Sequence, residues 1–370
     1  MKSAKMLSAF IAVIAVALLN AGSTLPAAEP EDLWRELAQI SKGEREKRLL
    51  AGAQKEGQVV WYVNLNVDHV NKLRAAFEKR YPGIKMDYWR GGGDKTANRL
   101  LTESRAGKFA ADVVHGGNEY QTALTKAGLI GSYSSPERNA YREAFKDSAG
   151  AWTSFVTNLV VIAYNTRLVS KAEAPQSYED FLAPQWRGNF ALDTDPDHMV
   201  IGLLKRRGAQ ATEQFMRALV KNGMQVRRGH TLITQLVCAG EFKAAMELYA
   251  YRVAELKHEK GCPLELVFPD PTPGGVEPLS VARRAPHPHA AALLVDFLLA
   301  EEGQRILAQN GWISGRQGIR AKYPEIDVEA RGIKFLTLTP DDAERWGPDY
   351  QKIRQEMLLG RSPGPGAAPR

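Results

Sequence analysis

The chain of 370 residues is 44% hydrophobic and 25% charged, which suffices for one large core or two moderate ones and excludes a disordered, fibrous or coiled-coil protein. Its formal net charge of +7 is spread along the sequence, with no basic block and no aromatic-and-basic motif, which argues against nucleic acid as a partner. Two cysteines, Cys238 and Cys262, are too few for a zinc site or a disulfide scaffold. They can pair in an oxidising compartment, and the sequence leaves this open because it does not give their Cα separation.

The N-terminal stretch carries Lys2 and Lys5, an apolar run from Met6 to Leu19, and then small residues, the layout of a secretory signal peptide. The run is short for a bilayer, whose core needs about 20 apolar residues. Residues 1–27 are therefore expected to be removed, with cleavage between Ala21 and Ala28. Loss of the two lysines takes the charge from +7 to +5. No later segment is apolar enough to span a membrane, so the mature chain is expected to be a soluble, exported, periplasmic monomer.

Residues 29–55 are charged and helix-prone, with Leu33, Leu37 and Ile40 on one face, and read as an amphipathic arm. QVVWYVNLN (58–66) begins as a buried strand and ends in polar residues. A helix with Val70, Leu73 and Phe77 inward follows, stopped by YPG at 81–83. IKMDYWR is the next strand. GGGDKTANRLLTESRAG reads as a glycine loop, an Asp94 N-cap and a helix. ADVVHGGN is a third strand running into glycines, with Asn118 placed to cap the next helix.

Further on, LVVIAYNT (159–166) is a long apolar strand, SYED at 177–180 a capping signature, and GNFALDTDP a strand ending at Asp193, Thr194 and Asp195. Residues 212–222 have helical spacing. Arg228, Gly229 and His230 precede a helix that Thr231 could cap. FKAAMEL and PLELVFP are strands; DPTPGG is turn-rich and leads into a strand-like VEPLSVA. One long apolar helix is expected from about His289 to Gln309, and residues 359–370 read as a disordered tail.

Strand and helix thus alternate, which predicts α/β architecture with mainly parallel sheets flanked by helices. In such sheets ligands bind beyond the carboxyl ends of the strands. The residues at those ends are Asn64 and Asn66; Arg90 with the glycines 91–93, of which Gly92 and Gly93 are the candidates; and His115 with Gly116. Asp193, Thr194, Arg228, His230, Thr231, Tyr249 and Tyr251 extend the set. Each end is polar or glycine-rich where a structural turn could have been anything.

The ordered series LLAGAQKEGQVVWYVNLN, FEKRYPGIKMDYWRGGG, LTESRAGKFAADVVHGGN, LTKAGLIGSYSSP, VVIAYNT, PQSYEDFLAPQWRGNFAL and HPHAAALLVDFLLAEEGQRILAQNGW resembles the periplasmic solute-binding proteins of ABC importers. The likeness is to the branch that contains ferric-iron-binding proteins and covers nearly all of the mature chain. It implies the two-lobed type II periplasmic-binding-protein fold, with ligand in a cleft between the lobes. The first lobe would be 56–155 with 272–312, and the second 156–271 with 313–358. It also implies that a membrane permease is the partner and that the protein is not an enzyme. Neither cysteine has a base beside it in the sequence, and no catalytic triad is evident.

Ferric iron prefers phenolate and carboxylate oxygen. The resemblance implies two adjacent tyrosines as iron ligands, with a histidine after the first strand and a glutamate after the Ala-Asp-Val strand. Here Ala250 separates Tyr249 from Tyr251, Asn66 stands at the histidine position and Gly117 at the glutamate position. Tyr249 and Tyr251 share a face on a strand but diverge on a helix. The expectation is therefore a small polar or anionic organic solute and no cofactor. Arg90, Arg228 and His230 would serve the anion and a tyrosine would wall the pocket. The alternatives are ferric iron held by Tyr249 and Tyr251, a module that presents its ligand to a sensor, and an enzyme of this fold with a cleft cysteine.

Overall fold

The computed structural model describes residues 30–358; the signal segment and the tail expected at the two ends lie outside the described residues. The first half comprises α1 (Pro30–Leu37), α2 (Lys42–Glu56), β1 (Gln58–Val63), α3 (Val67–Arg80) and β2 (Lys85–Arg90). It continues with α4 (Gly93–Arg105), β3 (Val113–His115), α5 (Asn118–Lys126) and β4 (Thr153–Asn165). The middle comprises β5 (Phe190–Asp193), α6 (Asp197–Lys221), β6 (Gln225–Arg227), α7 (His230–Ala239), β7 (Ala244–Tyr249), α8 (Ala250–Lys260) and β8 (Leu264–Val267). The chain ends with β9 (Thr272–Val281), α9 (Pro288–Leu299), α10 (Glu301–Gln309), β10 (Ile313–Ser314), α11 (Val328–Arg331), β11 (Phe335–Leu338) and α12 (Pro340–Ile353).

The main strand order is β2-β1-β3-β9-β4-β7-β5-β6. At one end β1 pairs in parallel with β2 and β3; at the other β5 pairs in parallel with β6 and β7. These are the sheets of two lobes. Between them run β4 and β9, antiparallel to each other from Thr153↔Leu279 to Leu159↔Gly274. The 13 residues of β4 are all buried and span about 40 Å at 3.3 Å per residue. Its later half leaves β9 to pair with β7 and β8, while β9 runs on to β3. Each crossing strand thus belongs to both lobes.

Four apolar clusters cover the sheet faces. In the first lobe, Val59, Trp61 and Val63 of β1 meet Leu73 and Phe77 of α3 and Leu294, Phe297 and Leu298 of α9. Tyr62 and Val114 face the other way, onto Ala97 and Leu100 of α4. In the second, Phe190 and Leu192 pack on Met199, Leu203 and Met216 of α6, and Ala191, Ala245 and Leu248 on Ile233, Val237 and Val253. α1 and α2 lie on α9: Trp34 is buried, its indole N–H donating to the Pro288 carbonyl at 3.0 Å, and Arg45 pairs with Asp296 at 2.6 Å.

α12 touches both lobes. Tyr350 and Ile353 join the apolar cluster of α6, while Thr122 of α5 donates to the Pro340 carbonyl at 3.0 Å and Lys126 pairs with Glu344 at 2.9 Å. Cys238 and Cys262 form a disulfide, Cα atoms 5.3 Å apart, joining the end of α7 to the entry of β8.

Several elements depart from the sequence reading. The single helix expected at 289–309 is two, α9 and α10, divided at Ala300, whose extended backbone ends one helix and caps the next. The helix expected at 212–222 is the second half of α6, which starts at Asp197 and is interrupted at Gly208. β9 begins inside the turn-rich stretch because β11 pairs with it from Phe335↔Thr272 onward, and tertiary pairing outweighs local composition. Three expected caps are also displaced: α4 is capped at Gly92, α5 at Gly117 and α7 at Gly229, one or two residues before Asp94, Asn118 and Thr231. At 177–180 half of the capping signature forms: the Asp180 carboxylate reaches back to accept from the Ser177 N–H, and also from that of Gln176, ahead of a short turn at Glu179–Leu182.

Candidate ligand-binding cleft

The carboxyl ends of β1, β3, β5, β6 and β7 converge on one cavity of about 590 Å³. Asn64 follows β1 and Gly117 and Asn118 follow β3; Asp193 to Asp195 end β5, Arg228 to His230 follow β6, and Tyr249 ends β7. Glu277 of β9, Asp197 and His198 at the start of α6, Tyr120 and Arg354 complete the wall. This is the convergence that parallel-sheet topology dictates.

Asp193 organises the β5 and β6 ends. Its carboxylate accepts from the backbone N–H of Asp195 at 2.8 Å and of Gly229 at 2.6 Å, and lies 3.6 Å from the His230 ring. Gly229 has φ +106°, a conformation that a side chain strains; it aims that N–H at Asp193 and turns the chain into α7. Burial holds the His230 imidazole below its ordinary pKa, against the pull of Asp193. Arg354 donates to the Thr194 carbonyl at 2.8 Å and pairs with Asp195, which also accepts from the Tyr350 hydroxyl.

The floor is acidic. His198 sits 2.7 Å from the Asp197 carboxylate; burial depresses its pKa, but Asp197 outweighs this and lifts it to about 10. The ring has room only because Gly275 of β9 faces it: a Cβ there would meet His198 Nε2 at 2.4 Å. Glu247 of β7 is wholly buried. One of its oxygens accepts from the Met199 N–H at 3.0 Å and the other has no partner, and burial pushes its pKa well up. Glu277 accepts from Asn158 at 2.8 Å and is raised to about 7, chiefly by burial. Behind it His115 is 1% exposed, with neither ring nitrogen hydrogen-bonded and its pKa pulled to about 3 by burial.

Tyr249 stacks on His230, ring centroids 4.4 Å apart. Burial and then the Asp197 and Glu277 charges drive its phenol pKa well above 10. Tyr251 lies one residue into α8, its ring 5.9 Å from that of Tyr249, and does not line the cavity.

Of the sequence-derived candidates, the structure brings Asn64, Asp193, Thr194, Arg228, His230 and Tyr249 to the cavity wall. His115 lies beneath it. Asn66 is exposed at the start of α3, Arg90 is exposed and donates to the Leu65 carbonyl, and Gly92 and Gly93 open α4. Gly116 precedes the wall residue Gly117, and Thr231 is exposed on α7. Asp197, His198, Glu247, Glu277 and Arg354 were not found from sequence. Asp197 and His198 follow GNFALDTDP in a stretch given no element, and the two glutamates lie in stretches read as strands. An acidic residue inside an apolar strand, as in AAMELY, is the one signal that could have exposed Glu247.

A two-lobed α/β molecule whose crossing strands floor a polar cavity is a ligand-capturing binding protein. Residues 110–325 match the model of the bacterial extracellular solute-binding protein family, and the chain belongs to that family. Among curated relatives, the Fe(3+)-binding periplasmic protein of Serratia marcescens is 24% identical over 285 residues, spanning 74% of this chain and 83% of that protein. Iron-bound HitA from Pseudomonas aeruginosa superposes with a TM-score of 0.71 at 23% identity, over 80% of this chain and 99% of that one. The Trichodesmium protein IdiA (FutA), solved in complex with iron and citrate, gives 0.70 at 19% identity, over 81% and 99%. At these identities the structural likeness shows the type II periplasmic-binding-protein fold.

Proposed function

We propose that this chain is the exported capture component of an ABC importer and that its cargo is ferric iron held together with a small oxygen-rich organic anion. The observation that carries the reading is the mixed lining of the cavity. Asp197, Glu277 and Tyr249 offer oxygen donors, and Arg228 and Arg354 add positive charge to the same wall. Hard cations take carboxylate and phenolate oxygen, and guanidinium forks take carboxylates. A volume of about 590 Å³ suits a chelate better than a bare ion. The iron-binding name of the curated relative supports the cation, and the iron-and-citrate complex of the structural neighbour supports the pairing. This reading departs from the organic solute expected from sequence, which treated iron as the alternative.

Capture proceeds by lobe closure. Ligand binds on one lobe, bending of β4 and β9 brings the other onto it, and contacts made only in the closed state drive the motion. The closed complex then delivers cargo to a permease in the inner membrane from the periplasm. No helix among the described residues is long and apolar enough to cross a membrane. A second reading, a metal-free organic anion such as a sugar phosphate, is favoured by Arg228 and Arg354 in the cavity wall.

Calorimetry and thermal shift with ferric citrate, citrate alone and a sugar phosphate separate the two readings. A melting temperature raised by ferric citrate but not by citrate is expected. Response to the sugar phosphate without response to iron would overturn the ferric reading in favour of the second.

A further inference from the structure

We infer that the inner ligands of the metal ion are Asp197 and His198 of the cavity wall and Glu247 buried behind them, and that Tyr251 is not among them. The inference rests on the ferric reading and deepens it. One ligand atom from each of the three residues lies within 4.8 Å of the other two, a spread that a single ion at about 2.0–2.2 Å from nitrogen and oxygen donors nearly spans. An acidic cluster alone would not make a site, but here a second observation points into it. Glu247 is wholly buried, on an interior strand, with an oxygen that has no hydrogen-bond partner. Leaving such an atom without a partner in the interior is costly, so a carboxyl group kept there calls for an occupant.

The three residues come from two rigid elements. Asp197 and His198 are the first two residues of the α6 helix, and Glu247 lies on β7, its second oxygen tied to the Met199 N–H of the same helix. Gly275 clears the space in which the His198 ring stands. Tyr249 leans over this group, its ring 6.2 Å from that of His198. Tyr251 is committed elsewhere: its ring stacks on Trp312 at 4.7 Å. Two carboxylates and an imidazole form a mixed oxygen and nitrogen set suited to iron among the first-row metals.

The test uses the mature chain with ferric citrate as probe, in calorimetry, on Asp197→Asn, His198→Gln, Glu247→Gln and Tyr251→Phe. Glutamine at 247 keeps a carbonyl oxygen to accept the Met199 N–H, and the melting temperature of each unliganded variant establishes that it folds. We expect the first three to lose at least tenfold in affinity and Tyr251→Phe to bind within twofold of the parent. Parent-like binding by the three folded variants, or loss of binding in Tyr251→Phe, would overturn the ligand assignment while leaving the ferric reading standing. A parent chain that ignores ferric citrate altogether defeats the functional reading itself, and the ligand assignment with it.

Discussion

Tyr251 and Trp312 stack with ring centroids 4.7 Å apart and planes inclined by 28°. Tyr251 opens α8 of the second lobe; Trp312 follows α10 and joins the core of the first. The Trp312 indole N–H donates to His69 Nδ1 at 2.8 Å, so the stack is anchored at its far end. With Tyr249 and His230 it makes a line of rings running from the cavity to the first lobe.

Truncating this line should be costly. Trp312 is 9% exposed, and Trp312→Ala is expected to lower the unfolding free energy by about 3–5 kcal/mol. Trp312→Phe keeps a ring but loses the N–H bond, and should cost roughly 1–3 kcal/mol. Urea titration measures both. An alanine variant within 0.5 kcal/mol of the parent would mean the stack contributes nothing.

Gly229→Ala is expected to destabilise by about 1–2 kcal/mol, because its φ of +106° suits only glycine. It should also weaken ligand binding, since relaxation of that backbone turns the N–H away from Asp193 and moves His230. Thermal melts and calorimetry read the two effects separately. Full affinity in the alanine variant would show that the Asp193 contact does not shape the cavity.

His115 and Glu277 should oppose each other in acid. His115 is depressed to about 3 from 6.5; its contribution to stability is present above pH 6.5 and is lost as pH falls towards 3. Glu277 is raised to about 7 from 4.5; its contribution is present below pH 4.5 and is lost as pH rises through 7. Between pH 7 and 4.5 the two slopes have opposite sign. Melting temperatures over that range should fall more steeply with acid in Glu277→Gln than in the parent, and less steeply in His115→Asn. Identical profiles for all three would refute the assignment.

The strand ends were readable from sequence because parallel sheets place them on one side. Polar or glycine-rich residues after β1, β3 and β6 therefore marked the cleft before any coordinates. What stayed hidden was chemistry set by tertiary contact. LDTDPDH looks like a turn until Glu247, some 50 residues later in the chain, accepts a hydrogen bond from the start of α6. Glu277 sits in a stretch read as strand-like, and only its pairing with β4 makes it part of the floor. Arg90 met the strand-end criterion, yet β2 is an edge strand and its guanidinium donates to the Leu65 carbonyl; Asn66 stands exposed at the start of α3, two residues past the wall residue Asn64.

The α12 helix has unequal attachments to the two lobes. On the α6 side Tyr350 and Ile353 are buried in an apolar cluster, with the Lys205–Asp342 and Lys352–Glu213 pairs beside them. On the α5 side the attachment is a hydroxyl contact plus the Lys126–Glu344 pair, whose side chains are 62% and 52% accessible, a pairing that is weak and screened by salt. On the proposed lobe motion the helix would ride with the second lobe as a catch, and its α5 face would be the edge that parts first.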